Sequence, residues 1–421
     1  MNEIEEIIRQ QSISAWRYLR VFIKWVLISA VIGAVGGTVG SLFYRSVGWA
    51  TAIRQARPFF LWFLPVAGIL IVAVYRGLHV EGLGTNDIID SILEGENIPI
   101  LLMPVIFVST VVTHLCGGSA GREGAALQIG GSIGCNVGKL LKLDEKEQRL
   151  AILSGMSAVF SALFGTPVTA IVFALEVCSV GIIHYSGLVP CGVAAMTAFG
   201  TMKLFQIVPE RYCLPAFSHG GVMLLKVAAL AVICAFVSIL FCRCMHFAGH
   251  LTEKTVKNPY LRAVAGAALI ILLTYLVGSQ RYNGGGVEVI ADAIEKGEAN
   301  IPDFLFKILF TVITLSCGFK GGEIVPTFFI GSTLGCVVGP LLGLPAGFAA
   351  AIGLAATFCG AVNCPLTSVI LSVELFGSEH ILYFAAACFL SYMLSGYTSL
   401  YKEQKIIYSK LKAEYINRRA D

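Results

Sequence analysis

The sequence predicts an all-α polytopic membrane protein with two inverted repeats and broken, partly spanning helices. Of its 421 residues, 56% are hydrophobic and 13% are charged, and the mean hydropathy is +0.79, far above that of soluble domains. Several apolar runs are long enough to cross a bilayer, and others are interrupted by Gly and Pro. Interrupted spans persist only where protein or a water-filled cavity satisfies the freed backbone, which is typical of a transporter or channel interior.

Polar segments flank this apolar core at both ends. We predict an amphipathic surface helix over residues 1–20, a transmembrane core over 21–401 and a short tail over 402–421, without a regulatory domain. The first segment contains three glutamates and no apolar h-region, so it does not resemble a cleaved signal peptide. Lys and Arg concentrate in both end segments, so the positive-inside tendency predicts a multi-pass plasma-membrane protein with both termini in the cytoplasm.

Several other function classes are disfavoured by composition. The net charge of +4 is modest and forms no basic stripe, so we expect no nucleic-acid partner. The thirteen cysteines and seven histidines are scattered, which predicts no disulfide framework, no metal site and no cofactor. The motif HExxH does not occur, so an embedded metalloenzyme is also disfavoured.

An internal repeat runs through the core, over about 60–200 and about 260–400. The segment "GLGTNDIIDSILEGENIPI" is similar to "GGGVEVIADAIEKGEANIPDF", and a glycine-rich motif follows each segment. Glu123 and Glu323 occupy matching places in these motifs, 200 residues apart (323 − 123 = 200). Two further matches lie downstream: Pro167 with Pro365, and Glu176 with Glu374.

Charge predicts that the two repeats are inverted. The first glycine motif leads into "KLLKLDEKEQRLA", whereas the matching stretch of the second repeat, "PLLGLPAGFAA", has no charge. The positive-inside tendency therefore places the first loop in the cytoplasm and the second outside. Inverted repeats typically hold their substrate site near the midplane of the membrane, where broken helices meet.

These motifs resemble those of the CLC family of anion channels and anion/proton antiporters. The matching segments are "GLGTN" (82–86), "GREGA" (121–125) and "GGEIVP" (321–326), with Tyr401 after the last apolar run. The resemblance covers nearly the whole chain and implies the CLC fold, a homodimer in the lipid bilayer, and transport of fluoride or chloride and of protons. It also implies an anion-binding set: Gly84, Thr85, Asn86, Gly121, Arg122, Gly124, Ala125, Gly322, Ile324, Val325 and Tyr401.

The chemistry of the motifs suits an anion. A helix that begins inside the membrane presents unpaired N–H groups and a positive dipole end, and glycine lets the backbone approach the ion. Glu123 is a carboxylate at membrane depth, which is costly and usually functional. The resemblance makes it the gate and proton carrier, and the alternative is a static ion pair with Arg122. The glycines alone could also serve helix packing.

The first anion segment departs from the chloride pattern. Many chloride-transporting relatives have a serine followed by Gly-Ile-Pro there, whereas this chain has no proline. Depending on the register, Leu83, Thr85 or Asn86 takes the place of the serine. We favour Thr85, because its hydroxyl can donate a hydrogen bond to an anion.

Two further departures concern carboxylates. Chloride antiporters carry a second glutamate after the position of Glu176, but Val177 follows it here, so that inner proton relay is expected to be absent. Glu323 stands where the chloride proteins have an apolar residue, and it is a candidate proton relay unless it pairs with Lys320. Tyr401 either closes the inner side or is an interface aromatic.

Together, these departures resemble the fluoride-exporting branch of the CLC family. The expected function is therefore export of fluoride in exchange for protons, which confers fluoride resistance. The alternative is a chloride channel or a chloride/proton antiporter of the same fold.

Overall fold

The computed structural model describes residues 2–95, 97–214 and 222–420, with side chains from residue 15 onwards. Helices dominate these residues, as the sequence predicts. A π-helical turn, Asp292–Lys296, extends the eleventh helix, and short 3-10 segments occupy Pro58–Phe63 and Tyr185–Gly187. The α-helices are α1 (Asn2–Ala56), α2 (Leu64–Gly77), α3 (Thr85–Glu94), α4 (Leu102–Leu115), α5 (Glu123–Leu140), α6 (Glu145–Phe164), α7 (Pro167–Glu176), α8 (Leu188–Leu204), α9 (Met223–Thr255), α10 (Pro259–Val277), α11 (Val287–Ala291), α12 (Asp303–Ser316), α13 (Ile324–Leu341), α14 (Ala346–Val362), α15 (Pro365–Phe376) and α16 (Ile381–Leu394).

The chain contains both complete and partial membrane spans. Within the described residues, six helical segments are long and apolar enough to cross a membrane. Five further apolar helices, α4, α7, α14, α15 and α16, have only 10–17 residues, less than a full crossing requires. The predicted architecture of broken helices is therefore confirmed. The six long segments are Ala15–Ala56, Pro58–Gly77, Tyr185–Leu204, Met223–Thr255, Pro259–Val277 and Ile324–Leu341.

Among the described residues, each half contains eight α-helices in the same order, α1–α8 and α9–α16. The structural halves are longer than the sequence repeats at 60–200 and 260–400, because α1 and α9 also correspond. These two helices carry no shared motif, because many different apolar residues can satisfy contacts with lipid or with other helices. Sequence similarity therefore begins one helix later than structural similarity.

The two halves pack alike at their centres. A Cβ at Gly130 of α5 would lie 2.3 Å from the carbonyl oxygen of Gly155 in α6. The matching contact in the second half, from Gly331 of α13 to the carbonyl oxygen of Gly353 in α14, would also be 2.3 Å. Small residues allow such close helix contacts inside membranes, where apolar surface alone gives little driving force.

Helix α1 defines two opposite faces of the molecule. Near its start, Lys24 Nζ lies 2.5 Å from Glu147 Oε1, beside the loop that follows α5. Near its end, Gln55 Nε2 donates to Glu288 Oε1 of α11 at 3.1 Å. The 31 helical steps from Lys24 to Gln55 (55 − 24 = 31) rise about 46 Å, enough to separate two membrane surfaces. We call these the Lys24 face and the Gln55 face.

The loops after α5 and after α13 lie on opposite faces. The first belongs to the Lys24 face through Glu147. The second packs against the end of the π-helical turn that follows α11, where a Cβ at Gly297 would lie 3.1 Å from Ala346 Cβ. This turn continues from the helix that contacts Gln55, so the second loop belongs to the Gln55 face. The predicted inverted arrangement is confirmed.

The structure adds detail to both end segments. Residues 2–20 belong to α1, which continues without a break to Ala56. The tail adds a small sheet to an otherwise helical fold: β2 (Lys405–Tyr408) pairs in parallel with β1 (Ser179–Val180) and antiparallel with β3 (Tyr415–Arg419). Edge hydrogen bonds available after α7 explain why a polar tail becomes strand there.

Charged side chains hold this tail against the Lys24 face. Lys410 Nζ donates to Asn363 Oδ1 at 2.5 Å and to the carbonyl of Tyr392 at 2.8 Å. Arg419 Nη2 lies 3.4 Å from Glu94 Oε1, at the end of α3. The Lys410 ammonium thus lies at the C-terminal ends of α14 and α16, where a positive charge complements the helix dipoles.

The glutamates matched between the repeats cap each other's helices. Glu176, the last residue of α7, accepts hydrogen bonds at the start of α15, from the Thr367 N–H at 2.9 Å and from its hydroxyl at 2.6 Å. Glu374 of α15 accepts from the Thr169 N–H at 2.7 Å and from its hydroxyl at 2.6 Å, at the start of α7. A carboxylate at a helix start satisfies free N–H groups and the dipole. Glu176 therefore has a structural partner.

We expect Glu374→Ala to lower the thermal unfolding midpoint of the detergent-solubilised protein. The change leaves the N–H and hydroxyl of Thr169 without this acceptor, which costs about 1–3 kcal/mol. Glu379→Ala, at an exposed position just beyond α15, is the matched control. Equal midpoints for the two variants would contradict the capping role.

Candidate functional site

The two glycine-rich motifs meet at the centre of the molecule. The Gly121 N–H donates to the Gly322 carbonyl at 2.7 Å, and the Gly322 N–H donates to the Gly121 carbonyl at 2.8 Å. Helix α5 begins at Glu123 and α13 at Ile324, immediately after this bridge. The bridge therefore places two helix N-termini, one from each repeat, side by side at the centre of the fold.

Only glycine allows the motifs to approach so closely. A Cβ at Gly322 would lie 2.3 Å from the Gly124 nitrogen, and a Cβ at Gly124 would lie 2.9 Å from Gly322 Cα. A Cβ at Gly121 would lie 2.5 Å from Glu123 Oε2. These glycines are required for the close approach of the two motifs. The same glycines therefore serve both the packing of the helix starts and the construction of the site.

Glu123 is the first residue of α5 and its side chain is fully buried. Its Oε2 accepts a hydrogen bond from the Arg122 N–H at 2.9 Å. Its Oε1 lies 3.4 Å from Arg122 Nε but has no hydrogen-bond partner, since the geometry of this contact is poor. The alternative of a static ion pair with Arg122 is thus present as a weak contact, and half of the carboxylate stays unbound.

Arg122 is oriented by other groups. Its guanidinium lies over the ring of Tyr44, 4.3 Å from the centroid, and forms an ion pair with Glu210. Its side chain is only 11% exposed. Arg122 thus connects the start of α5 to α1 and to the segment after α8, which is the geometry of a brace.

Glu323 lies on the second helix start, as the N-cap residue of α13. Its Oε2 is buried without a hydrogen-bond partner and lies 3.1 Å from the position that a Cβ on Gly124 would occupy. Lys320 does not satisfy it: the ammonium lies over the ring of Tyr75, 4.3 Å from the centroid. The alternative of a Lys320–Glu323 ion pair is therefore not what the structure contains.

The first anion segment begins α3 and packs on α5. Thr85 Oγ1 lies 3.4 Å from the Gly124 carbonyl and accepts from Gln128 Nε2 at 3.2 Å. The Gly84 N–H donates to Asp87 Oδ2 at 2.7 Å, so this predicted anion ligand already has an acceptor. Thr85 lies next to the central site, but its hydroxyl is occupied within the protein.

Asn86 contacts the chain two residues after Tyr401, near the end of the core. The Glu403 N–H donates to Asn86 Oδ1 at 3.5 Å, which brings the first anion segment beside the chain that follows Tyr401. The Tyr401 side chain is 2% exposed, and its hydroxyl has no hydrogen-bond partner. An interface aromatic would be exposed, so this alternative is excluded. Leu83, the third register candidate, packs against the hydrophobic core.

A cavity of about 860 Å³ opens from the Gln55 face and reaches Glu123. Of the predicted anion-binding residues, Gly121, Arg122 and Val325 line it, whereas Ala125 and Ile324 are buried away from it. The polar lining residues outside the motifs include three that no sequence pattern reveals, because each is a single charge or ring within or beside an apolar run. These residues are Tyr44, Arg54 and Glu210.

The site combines free carboxylate oxygens, helix N-termini and an open cavity. A carboxylate on a helix start occupies the position that suits an anion, and a protonated carboxyl loses this attraction. Glu123 and Glu323 can therefore each exchange a place at the helix starts with a small anion and carry a proton.

The chain is similar to proteins of a known transport family. The profile of the family described as "Voltage gated chloride channel" matches residues 69–396. A relative from Pseudomonas syringae pv. tomato, described as a chloride/fluoride channel protein, is 35% identical over 92% of this chain and 87% of its own length.

Solved structures share the fold. The crystal structure of a CLC-type fluoride/proton antiporter superimposes with a TM-score of 0.87 at 34% identity, over 91% of this chain and 98% of that one. A slow cyanobacterial Cl−/H+ antiporter gives a TM-score of 0.76 at 18% identity, over 88% and 94% of the two chains, and it supports the fold alone.

We expect Gly322→Ala to disrupt the central bridge. The added methyl group would lie 2.3 Å from the Gly124 nitrogen, and neither backbone can move without displacing a helix start. The yield of folded protein by size-exclusion chromatography should fall sharply. Gly249→Ala in α9, where a Cβ meets nothing within 4 Å, should leave the yield unchanged. A normal yield and unfolding midpoint for Gly322→Ala would contradict the requirement for glycine.

Proposed function

The chain belongs to the voltage-gated chloride channel (CLC) family, and we propose that it is an antiporter that exports fluoride in exchange for protons. One observation supports this most directly. Two carboxylates, Glu123 and Glu323, stand at the paired helix starts, and each has an oxygen without a hydrogen-bond partner. The proposal is a transport function, not an enzymatic one.

Anion and proton exchange follows because the Glu123 carboxylate and the anion compete for the same helix start. Ionised Glu123 occupies the helix start and excludes the anion by charge repulsion. Once protonated, it no longer opposes the anion, which takes the positive end of α5 while the carboxyl carries the proton. Because partial charges hold the anion more loosely than a lysine would, it can also leave. Glu323 lies beside Gly124, next to the same bridge, and would pass the proton to the other half of the transport pathway.

Selectivity for fluoride is supported by the chemistry of the donors and by the relatives. Fluoride is small and accepts hydrogen bonds strongly, so a protonated carboxyl group stabilises it more than it stabilises chloride. When it is protonated, the carboxyl group of Glu323 at the α13 start adds a second such donor. Both the Pseudomonas relative and the antiporter of known structure with 34% identity are described with fluoride in their names.

Flux measurements on purified protein in liposomes test the proposal. An outward fluoride gradient should drive protons inward through the wild type. Glu123→Gln removes the proton carrier, and proton movement should fall about 100-fold or more. Glu379→Gln, the same change at an exposed position, should leave both fluxes intact. Equal fluoride and chloride rates would instead support a chloride transporter of this fold.

We further propose that the protein is a plasma-membrane homodimer with its Lys24 face in the cytoplasm. The charged loop at Lys24 and Glu147 and the basic tail support this orientation. In oriented cells, a cysteine introduced at Lys142 should react with a membrane-impermeant maleimide only after permeabilisation, and one at Gly343 should react before it. Labelling of both from the same side would contradict the orientation, and a monomeric mass in detergent would contradict the dimer.

A further inference from the structure

Glu210 is an acidic residue outside every recognised motif, yet it lies at the central site. It belongs to the segment after α8, and its N–H donates to the carbonyl of Phe164, the last residue of α6, at 3.2 Å. Its side chain is 17% exposed and lines the cavity that reaches Glu123. A fixed backbone and a mostly buried carboxylate indicate a positioned group, not a solvated surface charge.

Arg122 lies between two carboxylates, and it is bound better by the remote one. It forms a hydrogen-bonded ion pair with Glu210 through Nη2. Its contact with Glu123, at 3.4 Å through Nε, leaves both Nε and Glu123 Oε1 without a hydrogen bond. The ionisable groups that act on Arg122 from the packed elements are Glu123, Glu210, Tyr44 and Tyr212. Among them, the two carboxylates are the acidic partners of this guanidinium.

Resting on the proposed function, we propose that Glu210 is a positioning residue that keeps Arg122 from locking Glu123, and so makes the protonated state of Glu123 accessible. Arg122 stays charged at all physiological pH values. If Glu123 were its sole carboxylate partner, protonating Glu123 would leave a buried, uncompensated cation, which is costly. Glu210 supplies the countercharge that remains after Glu123 takes up its proton.

The sign of the effect follows from charge. Ionised Glu210 repels ionised Glu123 and also draws the guanidinium away from it. Removing that charge stabilises ionised Glu123, so higher proton concentrations are needed for turnover. The pH profile of transport should therefore move about one unit to the acid side, with about tenfold slower turnover at neutral pH.

The experiment measures coupled proton and anion flux in liposomes between pH 5 and 8 for the wild type and for Glu210→Gln. Glu288→Gln is the matched control: it removes the same charge from the same cavity, but its carboxylate contacts Gln55 and not Arg122. We expect the acid shift for Glu210→Gln and a wild-type profile for Glu288→Gln. Glu210→Asp keeps the charge and should lie closer to the wild type than Glu210→Gln does.

A double-mutant cycle separates this role from a structural one. In an Arg122→Gln background, Glu210→Gln should shift the pH profile less than it does with Arg122 present, because only the direct repulsion between Glu210 and Glu123 remains. Size-exclusion profiles establish that each variant is folded, and Glu210→Asp provides the measurement if Glu210→Gln does not fold. Identical profiles for the Glu210 and Glu288 variants would overturn the inference alone. A wild type without proton-coupled flux would overturn the proposed function and this inference with it.

Discussion

The reciprocal backbone hydrogen bonds between Gly121 and Gly322 are the constraint on which the central site depends. They join the two repeats at their motifs and leave no room for a side chain on either strand. Two helices must then start beside each other and diverge, so their N-terminal dipoles converge on one region. In a bilayer, where water cannot satisfy free N–H groups, such converging ends require an acceptor. The buried carboxylate of Glu123 provides one, for the Arg122 N–H.

The rest of the fold holds this arrangement by the same local chemistry, repeated in both halves. Glu176 and Glu374 each satisfy the start of a helix in the opposite repeat. Gly130 and Gly331 allow equivalent close contacts within each repeat. Because apolar surface gives little driving force between helices in lipid, hydrogen bonds and small-residue contacts carry a larger share of specificity. Two short, capped helices can therefore remain inside the membrane without crossing it.

The charged side chains at the cavity do not follow the repeat symmetry of the backbone. The first repeat has Arg122 beside Glu123, and Glu210 forms an ion pair with Arg122. At the matching place the second repeat has Gly322, so Glu323 has no arginine neighbour (322 − 122 = 200). The two carboxylates therefore lie in unlike surroundings, Glu123 beside an arginine at the cavity and Glu323 without one. In the proposed antiporter, this asymmetry would give proton movement a direction through an otherwise symmetric scaffold.

The sequence by itself determined the membrane class, the repeat, its inversion and the pair Glu123 and Glu323, because periodic motifs and loop charges are local properties of the chain. It could not show that Gly84 already donates to Asp87, that Glu176 caps a helix, or that the tail forms strands. Those outcomes depend on which groups meet across long separations. Only the tertiary structure brings Glu210 to Arg122, which is 88 residues away in the sequence. Burial there strengthens the electrostatic interaction of a single charge with its neighbours.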